Sequence, residues 1–444
     1  MSKPLVVNHS LSLGRASLIL TAMIFLSRLA GFGRNLLTSH YYGTGPEAEA
    51  FNAAFVFPEI LSIVIAGGAL ATGFVPTFSA FLQNEDFDGA RRTFRSLLTL
   101  LVGAVGLLTG VLIALTYTPI LDFLVPKSAP RELYFANLRI LLVAQWVFIV
   151  GGIFTGAFNS LRHFWLPALL PVFFNLGIIA LGWWGAANGQ GIIWQSYGAV
   201  LGAIIGSLIL QIPAAMRAGL SIRPLFDWND AGVKKVLAAI IPVFLGLASG
   251  RILALQLPVQ IAAISGGSAS AIQNASRLAI LPLELIASGS AIAIFPTLSA
   301  LAAAGNLEEV RTKLRAVLRR TLKLLLVASA ILIVVAIPLV QLLFQHGKFT
   351  AADAELTSHV LMIIAFSLPA LGAQQLLSRG FFALGDNKTP VVAGITAMVI
   401  FAVLALISHA LSWGTLGVTG ASVIATALLA AILWKGLKKK LGDL

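Results

Sequence analysis

The chain has 444 residues, 58% of them hydrophobic and 11% charged. Soluble domains carry about 25% charged residues, so a water-soluble globular protein and a disordered chain are both excluded. The 30 Lys and Arg against 17 Asp and Glu give a net charge of +13, and there is no cysteine, which removes disulfides, iron–sulfur clusters and thiolate zinc sites.

The apolar runs are continuous rather than alternating, which argues for helices and against a transmembrane barrel. The polar amino terminus, Met1 to Gly14, precedes an apolar stretch too long for a signal-peptide core, read as a retained first span. Spans are expected at 15–38, 51–82, 96–118, 138–161, 165–187 and 194–216. Six more follow at 236–264, 268–301, 321–345, 355–384, 390–411 and 416–434. The fold class is therefore an all-α polytopic membrane protein of about 12 transmembrane helices. Residues 1–216 form an N-terminal six-helix lobe, 217–235 a cytoplasmic linker, 236–434 a C-terminal lobe and 435–444 a basic cytoplasmic tail.

The charges follow the same count. With the amino terminus inside, clusters such as Arg91, Arg92 and Arg95, or Arg217, Arg223, Lys234 and Lys235, fall on the cytoplasmic side. Arg311 to Lys323 and Lys435 to Lys440 do the same, and only Lys127, Arg131 and Lys348 fall outside. The positive-inside rule then places both termini in the cytoplasm. This bland account of the positive charge replaces nucleic acid as a partner.

The chain also repeats itself. Phe74-Val75-Pro76-Thr77-Phe78-Ser79-Ala80 matches Ile294-Phe295-Pro296-Thr297-Leu298-Ser299-Ala300, and the same offset of 220 pairs Arg91 with Arg311 and Arg95 with Arg315. Pro58 before Glu59 resembles Pro282 before Glu284, and Gly156-Ala157-Phe158 resembles Gly380-Phe381-Phe382. Six spans per half give both halves one orientation. The expectation is two pseudo-symmetric lobes related by an axis along the membrane normal, with a central path between them.

Soluble-type catalysis finds no motif. The six histidines are scattered, and Gly347-Lys348 lacks the rest of a phosphate loop. Asp122, Glu132, Asp353 and Glu355 read as solvated loop charges, not as the acid of a membrane glycosyltransferase. The chemistry lies in the intramembrane arginines. Arg28 stands near the middle of span one and Arg34 six residues on, with Gly31-Phe32-Gly33 able to bend the helix between them. Arg277 is in span eight and Arg251 in span seven. Arginine at such depth faces a wet cavity, pairs within the protein or snorkels to an interface. Glu59 and Glu284 are the internal charge partners. Four arginines against two carboxylates favour an anionic substrate, because guanidinium forks suit phosphate oxygens.

Ser27-Arg28-Leu29-Ala30-Gly31-Phe32-Gly33-Arg34, then Glu49-Ala50-Phe51-Asn52-Ala53-Ala54-Phe55 and Pro58, resembles the opening of the MurJ (MviN) family. Ser276-Arg277-Leu278 with Leu281-Pro282, His346-Gly347-Lys348-Phe349-Thr350 and Asp386-Asn387-Lys388-Thr389-Pro390-Val391 continue the resemblance across nearly all spans. The resemblance implies a MOP-superfamily flippase of two six-helix lobes around a central cationic cavity. Such a protein moves lipid II, the undecaprenyl-pyrophosphate-linked peptidoglycan precursor, to the outer leaflet for cell-wall synthesis. Its expected setting is the bacterial inner membrane. It further implies that Arg28, Arg34, Arg277, Ser27 and Asn175 bind substrate. Ser62, Gly67, Asn35 and Ser276 depart from frequent charged residues of the family, and Arg251 is the candidate replacement for a missing arginine. Many members carry two more carboxyl-terminal spans, so a shorter lipid groove is expected here. A sodium site is not expected, since spans seven, eleven and twelve hold no Asp, Glu or Asn. The expected working unit is a monomer with no cofactor, no metal and no enzymatic step, surrounded by membrane lipids and using the membrane potential. A flippase for another polyprenyl-linked glycan and a multidrug or cation antiporter of the same superfamily are the alternatives.

Overall fold

A computed structural model describes residues 5, 13–62, 73–161, 163, 165–238, 257–264, 268–386 and 388–442. Arg251 and Gly67 lie outside the described residues. Every regular element described is helical. The chain divides into a first unit, Met1–Phe244, and a second, Leu245–Leu444.

In the first unit α1 (Leu13–Tyr42), α2 (Pro46–Ser62), α3 (Val75–Gln83) and α4 (Phe87–Leu115) are followed by α5 (Arg131–Ser160) and α6 (Trp165–Ala187). Span six is α7 (Ile193–Ala203), a π-turn at Ile204–Ile209, and α8 (Gln211–Arg217). The second unit holds α9 (Leu257–Ile264), α10 (Ala269–Leu283), a π-turn at Glu284–Ser288, α11 (Gly289–Ala303) and α12 (Leu307–Phe344). It ends with α13 (Ala351–Ala365), α14 (Leu368–Ala383), α15 (Lys388–Ala410) and α16 (Gly414–Leu441). Eight described helices are long and apolar enough to cross a membrane, or nine if α13 and α14, bent by 42°, count as one span. These eight or nine fall on expected spans three to six and eight to twelve, and residues outside the description interrupt expected spans two and seven. The helix α16 continues through the basic stretch Lys435–Lys440.

The breaks within spans are chemically repaired. Pro369 has no N–H for the Ala365 carbonyl, and the Ser329 hydroxyl donates to that oxygen instead at 2.5 Å. The span-six π-turn shows its wide register in the Leu210 amide, which bonds the Ile205 carbonyl at 3.1 Å. There the Gln211 Nε2 donates to the Gly206 carbonyl at 3.1 Å. The span-eight π-turn begins two residues after Pro282, where the ladder has lost a donor.

Spans five and six pack backbone to backbone. A Cβ on Gly198 would lie 2.3 Å from the Gly177 carbonyl oxygen, and one on Gly202 2.3 Å from that of Phe173. Small residues are what permit such an approach between membrane helices.

The linker is an ordered strap on the basic end of α4. Arg91 donates to the Gly219 carbonyl at 2.8 Å and Arg95 to the Arg223 carbonyl at 2.8 Å. Asp230, its side chain 4% exposed, accepts from Arg92 at 3.2 Å and from the Thr93 hydroxyl at 2.7 Å. It also receives the Val233 amide at 2.9 Å, starting the next helix. Arginines read as topological markers therefore also bind the strap.

The repeat holds at the level of single hydrogen bonds. Asp86 caps α4 through the Gly89 amide (2.8 Å), and Asn306, 220 residues on, caps α12 through the Glu309 amide (3.2 Å). Glu85 and Gly305 before them both have positive φ, 56° and 74°. In the loop before α15, Asp386 takes the Lys388 and Thr389 amides at 3.1 and 3.0 Å and the Lys440 ammonium at 2.6 Å. Burial pushes the Asp386 carboxyl up, but Lys440 and Thr389 outweigh it and hold the group down at about 2.

Two tests follow from this packing. Gly198→Val drives a side chain into the α6 backbone; overpacking costs about 1–3 kcal/mol. The detergent-solubilised protein should melt roughly 2 °C lower or more, and an unchanged melting temperature would refute the backbone contact. For Asp386, the depressed folded value means its stabilisation is present above the unfolded carboxylate range and fades as pH falls from about 4 toward 2. The stability difference between wild type and Asp386→Asn should be flat from pH 7 to 5 and shrink below 4, as read by intrinsic-fluorescence melts.

Candidate functional site

The candidate residues of the first unit lie on α1. The helix runs unbroken through Gly31 and Gly33, so no bend is needed to gather them. Arg28, Gly31 and Arg34 fan over one side, about 60° apart at each step of an ideal helix. Gly31, at the centre of the fan, faces α6: a Cβ there would be 3.6 Å from the Asn175 side chain. Asn175 donates its own amide to the Pro171 carbonyl at 2.9 Å, which fixes its oxygen outward from that bond. Ser27, Arg28 and Asn175 are all half-buried.

Arg34 is in a different environment, only 5% exposed. Its guanidinium donates to the Asn35 side-chain oxygen at 3.4 Å and lies 4.9 Å from the centre of the Phe55 ring on α2. A desolvated cation over an aromatic face is a favourable arrangement. One turn further on, the Thr38 hydroxyl bonds the Gln195 Oε1 of span six at 2.8 Å. Next to Gln195, the Ser196 hydroxyl donates to Asn137 of α5 at 2.6 Å. Gln195, Ser196 and Asn137 are fully buried, and the Asn35 Nδ2 and Gln195 Nε2 have no hydrogen-bond partner. Sequence reasoning missed this polar seam. Its only signal was the presence of amides and hydroxyls in otherwise apolar runs.

In the second unit Arg277 is half-buried on α10. The helix starts at Ser268, whose hydroxyl caps the Ala271 amide at 3.0 Å and whose own amide bonds the Thr415 hydroxyl of α16 at 2.8 Å. Gln273, Asn274 and Ser276 are buried, and the Ser276 hydroxyl has no partner. Glu284 follows Arg277 by seven residues, two turns, and so shares its face just where the π-turn begins. One turn on, the Ser288 hydroxyl bonds Gln375 of α14 at 3.0 Å. Glu59 is half-buried on α2, directly after Pro58. Arg28, Arg34, Ser27, Asn175 and Glu59 belong to the first unit, and Arg277 and Glu284 to the second.

The remaining span arginines have aromatic neighbours. Arg139 stacks 3.7 Å over the Tyr117 ring and donates to the Thr116 hydroxyl at 2.7 Å. Arg379 lies 5.2 Å from the Phe295 ring centre. Among the described residues no three His, Asp or Glu side chains gather where a metal ion would sit.

Comparison with known proteins places these features. The family model described as "Lipid II flippase MurJ" matches residues 38–443. A protein of Rhizobium meliloti named "Probable lipid II flippase MurJ" is 30% identical over 427 residues, covering 92% of this chain and 78% of that one. The "Lipid II flippase MurJ" of Burkholderia cenocepacia is 26% identical over 443 residues, covering 97% and 84%. Among solved structures, a lipid II flippase MurJ in an inward closed conformation superposes with a TM-score of 0.78 at 23% identity, covering 95% of this chain and 87% of that one. An inward-facing multidrug MATE transporter of the MOP superfamily gives the same TM-score at 17% identity, covering 96% and 98%. The fold is thus shared across the superfamily, while sequence separates its branches, and by that sequence match the chain belongs to the MurJ family.

Proposed function

We propose that this chain is a lipid II flippase, a multi-pass protein of the bacterial inner membrane that carries the undecaprenyl-pyrophosphate-linked precursor outward by alternating access. The observation that carries the proposal is Arg28: a half-buried guanidinium at the middle of the first expected span, one turn before the Gly31 that packs on Asn175, in a chain of this family. A cation at that depth is costly unless it serves an anion or a partner. A pyrophosphate supplies the anion, and forked donors match its oxygens.

Ser27 and Asn175 supply neutral hydrogen-bonding groups for the sugar head group, Asn175 through its outward oxygen, and Arg277 contributes the second unit's cation. Arg34 is committed to Asn35 and Phe55 in this conformation, and it reaches the phosphates only in a state where Phe55 withdraws. The polyprenyl tail stays in the surrounding lipid. No bond is broken in this scheme, so the protein acts as a carrier, and the scheme asks for one chain and for no cofactor or metal. Release requires that the outward state bind the anion less tightly than the inward state. With the interior negative, the membrane potential acts on the net charge that each step of the cycle moves, at about 2.3 kcal/mol per charge per 100 mV.

Cells depleted of their own lipid II flippase test this directly. Wild type should restore growth and Arg28→Ala should not, at equal membrane abundance and with an unchanged melting temperature. Arg34→Ala should lose both growth and thermal stability, because its side chain is part of the lobe interior. If wild type, present at normal abundance, fails to restore growth, lipid II is not its substrate.

A further inference from the structure

The two halves of the chain treat one shared feature differently. An offset of 223 aligns Phe158 with Phe381, His163 with Asp386, Pro167 with Pro390, Arg217 with Lys440 and Gly219 with Gly442. The backbone agrees: the His163 amide bonds the Phe158 carbonyl at 2.8 Å, and the Asp386 amide bonds the Phe381 carbonyl at 2.9 Å. Gly219 and Gly442 both end their helices with positive φ, 89° and 83°.

In the second unit this arrangement is closed by a carboxylate. Asp386 bridges the first amides of α15 and the Lys440 ammonium. In the first unit an imidazole stands at the carboxylate's position and brings no negative charge. The cation persists as Arg217, which is exposed, and among the described residues no carboxylate pairs with it. Where the second unit has its ion pair, the first has a cleft of about 550 Å³ lined by Phe158, His163, Trp165, Ile209, Pro213 and Arg217.

The walls identify what fills it. Ile209, 58% exposed, and Trp165, 47% exposed, open the cleft sideways from a membrane-spanning segment. Arg217 lies at the end of that span, at headgroup depth. A small soluble anion has no use for the apolar wall, and an alkyl chain alone has no use for the guanidinium. We propose that this cleft binds an anionic phospholipid of the leaflet at the basic face, its phosphate taking the place that the Asp386 carboxylate holds in the other half. The lipid's acyl chain lies along Ile209 and Pro213, and its headgroup completes the clasp between the span four–five loop and the end of span six. The site is independent of the transported head group.

The chain has no cysteine, so Met216→Cys, beside the cleft and 57% exposed, gives a single position for a bimane label. In nanodiscs, brominated phosphatidylglycerol should quench that label about fivefold more effectively than brominated phosphatidylcholine at equal mole fraction, the worth of one cation at a membrane surface. Arg217→Gln should abolish the preference. So should His163→Asp, which leaves Arg217 in place but supplies the carboxylate internally, as in the second half. Lys440→Gln should leave it intact, and millimolar inorganic phosphate should not displace the lipid. Equal quenching by both lipids in the parent protein overturns the proposal. So does a preference that survives both cleft substitutions, or displacement by phosphate, which would make the site one for a soluble anion. Should Arg217→Gln misfold, judged by size-exclusion profile, His163→Asp alone decides.

Discussion

Inside a bilayer no water completes a broken hydrogen-bond ladder, so each interruption must be repaired from within the protein. That constraint governs where this chain bends. The Ala365 carbonyl, left open by Pro369, is met by Ser329 from another helix, and the Gly206 carbonyl is met by Gln211 from its own. The partner from another helix ties the bend to a neighbour, whereas the local one is supplied by span six itself. Arg34 obeys the same rule for charge. Its guanidinium is enclosed by an amide oxygen and an aromatic face, whereas Arg28, at an equal sequence interval from Gly31, is left half-exposed. The contrast between the two arginines separates a cation enclosed in the lobe interior from one that keeps part of its surface open.

Duplication has preserved backbone chemistry and released side chains. The turns after α3 and α11 share a positive-φ residue, a capping carboxylate or amide and the same amide-to-carbonyl bonds. Glu85 adopts a conformation that Gly305 takes without a Cβ penalty, so the first half tolerates a cost that the second avoids. The geometry persists because backbone groups at the membrane surface still need partners, and it does not depend on which side chain supplies them. Side-chain chemistry at aligned positions is then free to differ, as His163 and Asp386 do. A duplicated carrier can in this way hold one half shut with its own ion pair and leave the other half dependent on the membrane around it.

Span positions were legible because twenty apolar residues have few other uses. The repeat was legible too, since Phe74–Ala80 and Ile294–Ala300 kept their proline and hydroxyls in register. Three things were not. Arg91, Arg92 and Arg95 were readable as topological charges, but Arg91 and Arg95 bind the strap through the carbonyls of Gly219 and Arg223, and a carbonyl has no sequence signature. The burial of Arg34 depends on Phe55, which only the packing of α2 on α1 brings near. The seam from Thr38 through Gln195 and Ser196 to Asn137 joins three separate spans, and helical periodicity on any one of them says nothing of the other two. Sequence reading recovers what a single helix determines and loses what needs two.

The proposed cycle places a further demand on these cations. If Arg28 and Arg277 travel with the pyrophosphate across the field, the loaded carrier moves little net charge, and the membrane potential gives that step little help. The unloaded carrier is then the charged species. With a negative interior, the potential draws its exposed guanidinium groups back toward the cytoplasmic side, at about 2.3 kcal/mol per charge per 100 mV for a full crossing. Arg34, already compensated by its surroundings, adds little to that difference between loaded and empty states. On this argument the potential resets the carrier more than it pushes the cargo, and Arg28 is a load-sensing charge as well as a ligand.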